Sequence, residues 1–119
     1  SKKITFLGVT FKPGTDDMRE SSTLKMIPHL VKKGALISYY EPTGPKSEFI
    51  SKNIKFYTNV KNACKNSDLI IIHTEWNEFK QLNFKKIVNK KNFKVFDMRN
   101  LYEPSEMKKS KINYFGIGR

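Results

Sequence analysis

Six short apolar runs, each closed by glycine, proline or a polar cluster, punctuate the chain: KITFLGV (3–9), ALISYY (35–40), IKFYT (54–58), DLIIIHT (68–74), KVFDM (94–98) and INYFGIG (112–118). Their β-branched and aromatic content predicts strands, the last of them a strand or a tail. DLIIIHT is apolar without alternation, the pattern of a strand covered on both faces. Between the runs the period changes. Leu24, Ile27, Leu30 and Val31 line one face of a helix, with Ser21 or Ser22 as its N-cap and Lys32-Lys33-Gly34 as its stop. Pro28 lies inside that pattern and predicts a kink, because it removes one helical hydrogen bond. NVKNACKNS predicts a short helix with Val60, Ala63 and Cys64 facing inward, and LNFKKIVNK and PSEMKKS predict two more. TGPKSEF predicts a loop that ends in a helical turn up to Ser51.

Strands alternating with helices imply a parallel sheet with helices on both faces and right-handed crossovers. A chain of 119 residues is one domain by size, and no repeat or low-complexity linker divides it. The expected fold is a small doubly wound α/β domain. Ligands of such sheets sit beyond the carboxyl ends of the strands, where strand order reverses.

Composition narrows this only a little. A hydrophobic share of 38% with 13% aromatics belongs to a globular chain, not a disordered one. No apolar run approaches the ~20 residues of a membrane span. The net charge of +12 favours anionic partners: nucleic acid, a phosphorylated small molecule or an acidic membrane. Lysine and asparagine are scattered through every segment, however, as a compositional bias would scatter them. Charge alone does not choose between these partners. The single cysteine, Cys64, cannot form an internal disulfide, in agreement with a reducing cytoplasm.

Three clusters remain as candidate chemistry, all at expected carboxyl ends of strands. The first is GVTFKPGTDDMRESS (8–22), a connection longer than the two to six residues usual in such folds. Lys12 and Arg19 can offer a point charge and a planar fork to phosphate oxygens, while Asp16 and Asp17 are placed to orient Arg19 or to accept backbone N–H groups in the turn. A solvated loop of local ion pairs accounts for the same residues equally well. The second cluster is HTEWNEF (73–79), whose tryptophan can cover a base or the sheet edge, covering the edge being commoner. The third is FDMRNLYEP (96–104), where Arg99 leaves its strand on the same rim as Lys12. Weaker signals fall away. The glycines form neither G-x-G-x-x-G nor a P-loop, and His29, His73 and one cysteine have no zinc spacing. Asp16 and Asp17 lack further carboxylates for magnesium. Cys64 sits on an inner helix face without an activating partner, and NFKKIVNKKNFK reads as an amphipathic helix and strand start rather than an RNA-binding surface.

On these clusters the chain resembles the C-terminal, UDP-binding domain of the UDP-glucose/GDP-mannose dehydrogenase family. The resemblance covers essentially all of it, through GVTFKPGTDDMRES (8–21), KKGALISYYEP (32–42), SDLIIIHTEWNEF (67–79), FDMRN (96–100) and YFGIGR (114–119). Thr-Glu-Trp and Asp-x-Arg-Asn lean towards the UDP-glucose branch. The resemblance implies a Rossmann-like fold and a role in oxidising the C6 alcohol of UDP-glucose to the carboxylate of UDP-glucuronate. In such enzymes this takes two NAD-dependent steps through a thioester on a cysteine of a Gly-rich motif. Cys64 does not match that motif, so no catalytic or metal-binding residue is assigned to this chain. What the resemblance does imply is that Phe11, Lys12 and Arg99 contact the UDP-sugar, and that Arg19 reaches NAD held mainly by a partner domain. Ser21-Ser22 in place of Ser-Pro, and Glu41 in place of Asp before Pro42, are mild departures.

Residues 1–119 are accordingly expected to be one UDP-sugar-binding domain excised from a longer cytoplasmic dehydrogenase and inactive by itself. Its expected partners are a UDP-sugar, the rest of that chain and further copies in a homo-oligomer, with neither nucleic acid nor membrane among them. The competing expectations are a basic α/β module that binds nucleic acid without chemistry, and an assembly domain.

Overall fold

Alternation along each strand divides the core in two. Leu7, Ile70, Ile72 and Val95 point to one side of the sheet and pack with Cys64, Phe84, Val88 and Met107. Ile4, Phe6, Ile37, Tyr39 and Ile71 point to the other and pack with Ile27 and Phe49. The three consecutive isoleucines of the fourth run are thus shared between both faces, which is why that run shows no polar alternation.

The computed structural model describes residues 2–118. Its strands are β1 (Lys3–Leu7), β2 (Leu36–Tyr40), β3 (Ile54–Phe56), β4 (Leu69–Ile72), β5 (Lys94–Asp97) and β6 (Asn113–Gly116). They form one sheet in the order β3-β2-β1-β4-β5-β6. Every neighbouring pair is parallel. The helices are α1 (Thr23–Lys32), α2 (Val60–Cys64), α3 (Phe84–Val88) and α4 (Pro104–Lys109). Helix α1 covers one face, and α2, α3 and α4 supply the buried residues on the other. The doubly wound, Rossmann-like α/β expectation holds, and each expected strand and helix is present. The strands are shorter at their ends than the apolar runs, because their last residues turn out of the sheet to build the rim.

Local departures have local causes. Helix α1 runs through Pro28, which lies on its exposed side. The helical turn expected up to Ser51 does not form. Residues 42–53 instead make turns held by Glu41, Thr43 and Tyr39, and Ser51 bridges to Ile54. A 3-10 turn at Asn77–Phe79, which no periodicity marked, buries Phe79 behind β4.

Strand order sets the position of the site. The chain steps outward from β1 to β3, then returns to the other side of β1 for β4, so the loops that leave β1 and β4 part in opposite directions. That switch point lies at the carboxyl ends of the two central strands.

Candidate functional site

The loop after β1 is built from the backbone outward. Gly8 turns it with φ +79°, a conformation L side chains rarely adopt, and a Cβ there would come within 2.5 Å of Thr74 Cβ. The glycine is therefore required twice, by the turn and by the contact. Val9 N and Thr10 N then donate to Glu41 Oε1 at 2.9 and 3.3 Å. Glu41 Oε2 accepts from Thr43 N at 3.0 Å and from the Thr43 hydroxyl at 2.7 Å. A buried carboxylate is costly to desolvate unless its lone pairs are filled, and these four donors fill them. The Ser21 and Thr23 hydroxyls donate to Val9 O at 2.6 and 2.8 Å, tying the far end of the loop back to its beginning.

The end of β4 locks onto the same loop through an ordered chain of protons. Thr74 Oγ1 donates to Thr10 O at 2.9 Å, so its one hydrogen is spent there. At 3.1 Å from His73 Nδ1 it can then only accept, which places the imidazole hydrogen on Nδ1. His73 Nε2 is left unprotonated and accepts from Ser22 Oγ at 2.8 Å. Burial, then the nearby Arg99 guanidinium, push the His73 pKa down to about 4, which keeps it neutral. Ser22 stands at the N-cap position of α1 but makes no side-chain cap there: its backbone is already helical (φ −65°, ψ −19°), not the extended conformation of a capping residue, and its hydroxyl turns to His73 instead. The serine reading was right for position and incomplete for bonding.

Asp97, Arg99 and Asn100 give the third cluster its physical meaning. Asp97 is fully buried at the end of β5 and accepts from Arg99 N (3.1 Å), Tyr102 N (2.9 Å) and Tyr114 Oη (2.8 Å), which fixes the turn. Arg99 then extends back across β4. Its Nε donates to His73 O at 2.6 Å and its Nη2 to Phe11 O at 3.2 Å. Asn100 adopts φ +52° and exchanges two hydrogen bonds with the backbone of Ile117, pinning the exit of β6.

Among the residues singled out from sequence, Phe11, Lys12 and Arg99 come together: the guanidinium touches the carbonyl of Phe11, and Lys12 is next in the chain. Phe11 is 41% exposed, and Lys12 and Arg99 are exposed. Of the five N–H donors on Arg99, one is spent on His73 O at the end of β4 and one on Phe11 O in the loop, and three remain. Arg19 stands apart. Asp17, not Asp16, orients it through paired contacts of 3.1 and 3.0 Å, and holds its own carboxyl below the usual range in doing so. Trp76 packs its ring against the core behind β4, so it covers the sheet. Among the described residues its Nε1 is the one buried side-chain polar atom without a partner. Cys64 is buried, and burial pushes its thiol pKa up to about 12, in keeping with a packed, inert side chain. Sequence reasoning missed the roles of Glu41, Thr74 and Ser22. The signal for Glu41 was its standing in place of Asp before Pro42, at the end of the strand next to the one that leads into the loop.

A doubly wound sheet with a long polar loop anchored at its switch point, and two cations on that rim, defines a small α/β domain of the kind that holds ligands beyond the carboxyl ends of its strands. The family model for the UDP binding domain of the UDP-glucose/GDP-mannose dehydrogenase family matches residues 5–104, and the chain belongs to that family. It is 36% identical over 121 aligned residues to the UDP-glucose 6-dehydrogenase of Rickettsia prowazekii (strain Madrid E), covering 98% of this chain and 28% of that one. It is 35% identical to the UDP-glucose 6-dehydrogenase of Rhizobium meliloti (strain 1021), covering 98% of this chain and 27% of that one. Among solved structures it resembles an NDP-N-acetyl-D-galactosaminuronic acid dehydrogenase from Methanosarcina mazei Go1. That match has a TM-score of 0.84 at 25% identity, over 99% of this chain and 25% of the other. The chain thus spans little more than a quarter of the length of the relatives it matches. Among the described residues no helix is long and apolar enough to cross a membrane.

Proposed function

We propose that this chain is the UDP-sugar-binding domain, residues 1–119, of a longer NAD-dependent dehydrogenase that oxidises UDP-glucose to UDP-glucuronate. The observation that carries the proposal is the Arg99 bridge to His73 O and Phe11 O. It holds the loop bearing Lys12 against the switch point, which supports reading the Lys12 ammonium and the three unspent Arg99 donors as partners of one ligand. A diphosphate matches that pair, the guanidinium offering a planar fork and the ammonium a mobile point charge. The half-exposed ring of Phe11 borders the same position and supplies apolar surface to the UDP-sugar.

In this reading the chain binds and orients, and the chemistry is supplied elsewhere. NAD, when bound, accepts the hydride. This chain fits it only at its margin, because its first β-to-α turn is filled by its own Glu41 and Thr74 contacts, while Arg19 at the far end of the loop is exposed. Arg19 serves as that one contact, with Asp17 holding its fork. Exposed Phe11 and Ile117 on the carboxyl rim suit a surface covered by the rest of the dehydrogenase chain. The whole enzyme is read as a cytoplasmic homo-oligomer.

Titration calorimetry with UDP tests the proposal. Lys12 is exposed, so its truncation leaves the fold alone. Losing one charge-assisted contact of ~1.5–3 kcal/mol weakens binding by about tenfold or more in Lys12→Ala. Absence of UDP binding, or equal affinity in the variant, would overturn it.

A further inference from the structure

The opposite end of the sheet carries a second concentration of charge that the nucleotide-sugar reading does not use. A cleft of about 400 Å³ opens there, lined by Lys2, Lys85, Lys91, Lys94 and Lys111 with a single carboxylate, Asp68. These residues come from distant parts of the chain. Lys2 precedes β1, Asp68 precedes β4, Lys94 opens β5, and Lys111 precedes β6, while Lys85 lies in α3 and Lys91 just beyond it. Because all strands are parallel, these positions share the amino rim, away from Lys12 and Arg99.

The carboxylate does not neutralise the cleft. Asp68 Oδ2 accepts from Lys3 N at 2.8 Å, and Oδ1 is paired with Lys90. The ion pairs among the described residues are Asp17–Arg19, Asp68–Lys90 and Glu106–Lys109, and none involves the five lining lysines. Lys2 also acts on Asp68 at a distance, yet five lysines line the concavity against that single carboxylate, and their summed charge attracts an anion. Local backbone structure adds a further sign. Helix α4 ends with Ile112 N donating to Met107 O at 3.0 Å, and Lys111 takes φ +57° at the position where glycine is preferred. A lysine occupies the glycine position and places its charge at the cleft. Phe93 and Ile112 supply an apolar wall, and the volume falls in the range of small-molecule sites.

We propose that this amino-rim cleft binds a small polyphosphate anion, separately from the UDP-sugar rim. The lysines supply charge and N–H donors to adjacent phosphates. A nucleoside polyphosphate would in addition lay its base on Phe93 and Ile112, whereas an inorganic polyphosphate would use the lysines alone.

The test is titration of the 119-residue chain at physiological salt with inorganic tripolyphosphate and, separately, with ATP. The expected result is saturable one-to-one binding that weakens by about tenfold or more in Lys94→Gln/Lys111→Gln, both exposed positions. Lys12→Ala should leave it unchanged. ATP binding more tightly than tripolyphosphate identifies a nucleoside ligand, and the reverse an inorganic one. Either result supports the cleft. The proposal is overturned if neither probe saturates, if the double variant binds as the parent does, or if Lys12→Ala abolishes binding. The last result would place the anion on the carboxyl rim. Tight, steeply salt-dependent binding of single-stranded RNA without saturation by tripolyphosphate would also overturn it, in favour of a nucleic-acid surface. UDP binding is measured independently, so failure of either site leaves the other standing.

Discussion

The two ends of the sheet handle polar groups in opposite ways. At the carboxyl rim nearly every polar side chain is spent on another part of the protein: Glu41 on three backbone amides and a hydroxyl, Thr74 on Thr10 O, Asp97 on two amides and a tyrosine. Lys12 and part of Arg99 are left over, and Arg19 is exposed with its fork held by Asp17. At the amino rim Lys3 donates to Lys65 O and Lys90 pairs with Asp68, but none of the five lysines lining the cleft forms one of the ion pairs among the described residues. Fixed geometry comes from buried, mutually satisfied groups, and attraction at a distance from unpaired charge. The first rim is built for orientation. The second is built for field.

The comparison is most easily broken at Gly8. In Gly8→Ala the new methyl must enter space held by Thr74 while the backbone keeps a positive φ, and the two penalties together cost about 3 kcal/mol. Urea unfolding should show that loss, along with weakened UDP binding, and a near-neutral effect would mean that the rim yields easily.

Acidification acts next, through His73. Its folded pKa of about 4 lies below the ordinary 6.5, so the unfolded chain binds the extra proton first. The contribution of His73 to stability is therefore complete above about pH 6.5 and lost as pH falls towards 4, at most about 3 kcal/mol in all. Protonation would also force Ser22 to reverse its hydrogen bond and would set a cation beside Arg99. His73→Gln, which cannot titrate, should remove most of the slope of unfolding free energy between pH 6.5 and 4. A slope unchanged by that substitution would assign the effect to other groups.

The smallest effect belongs to the amino rim. Lys94→Gln/Lys111→Gln should alter stability in the absence of ligand by no more than about 0.5 kcal/mol, since exposed unpaired charges contribute little. A large loss there would show that the lysines hold the fold, and would erase the contrast between the rims.

Much of this could be read from the chain. Runs such as ALISYY and DLIIIHT marked strands because side-chain direction repeats every two residues, and Leu24, Ile27 and Leu30 marked α1 because it repeats every 3.6. Phe11, Lys12 and Arg99 were legible as candidates because they follow strand ends and fit a family pattern. Ser22 was legible only as a cap, and Glu41 only as a departure from Asp. His73 entered as a failed zinc candidate and proved to be the hinge of a hydrogen-bond chain. The +12 charge looked scattered because sequence distance conceals spatial neighbours.

By itself the sequence determined the order of strands and helices, the double-sided burial of β4 and the family, all of which rest on local periodicity or contiguous motifs. Tertiary structure alone decided which groups meet. Ser22 reaches His73 across 51 residues and Arg99 reaches Phe11 across 88, and both contacts exist only because β4 returns to the far side of β1. The same strand order gathers five lysines around one cleft. Periodicity reports the direction in which a residue faces, and the partner it finds there depends on the path of the whole chain.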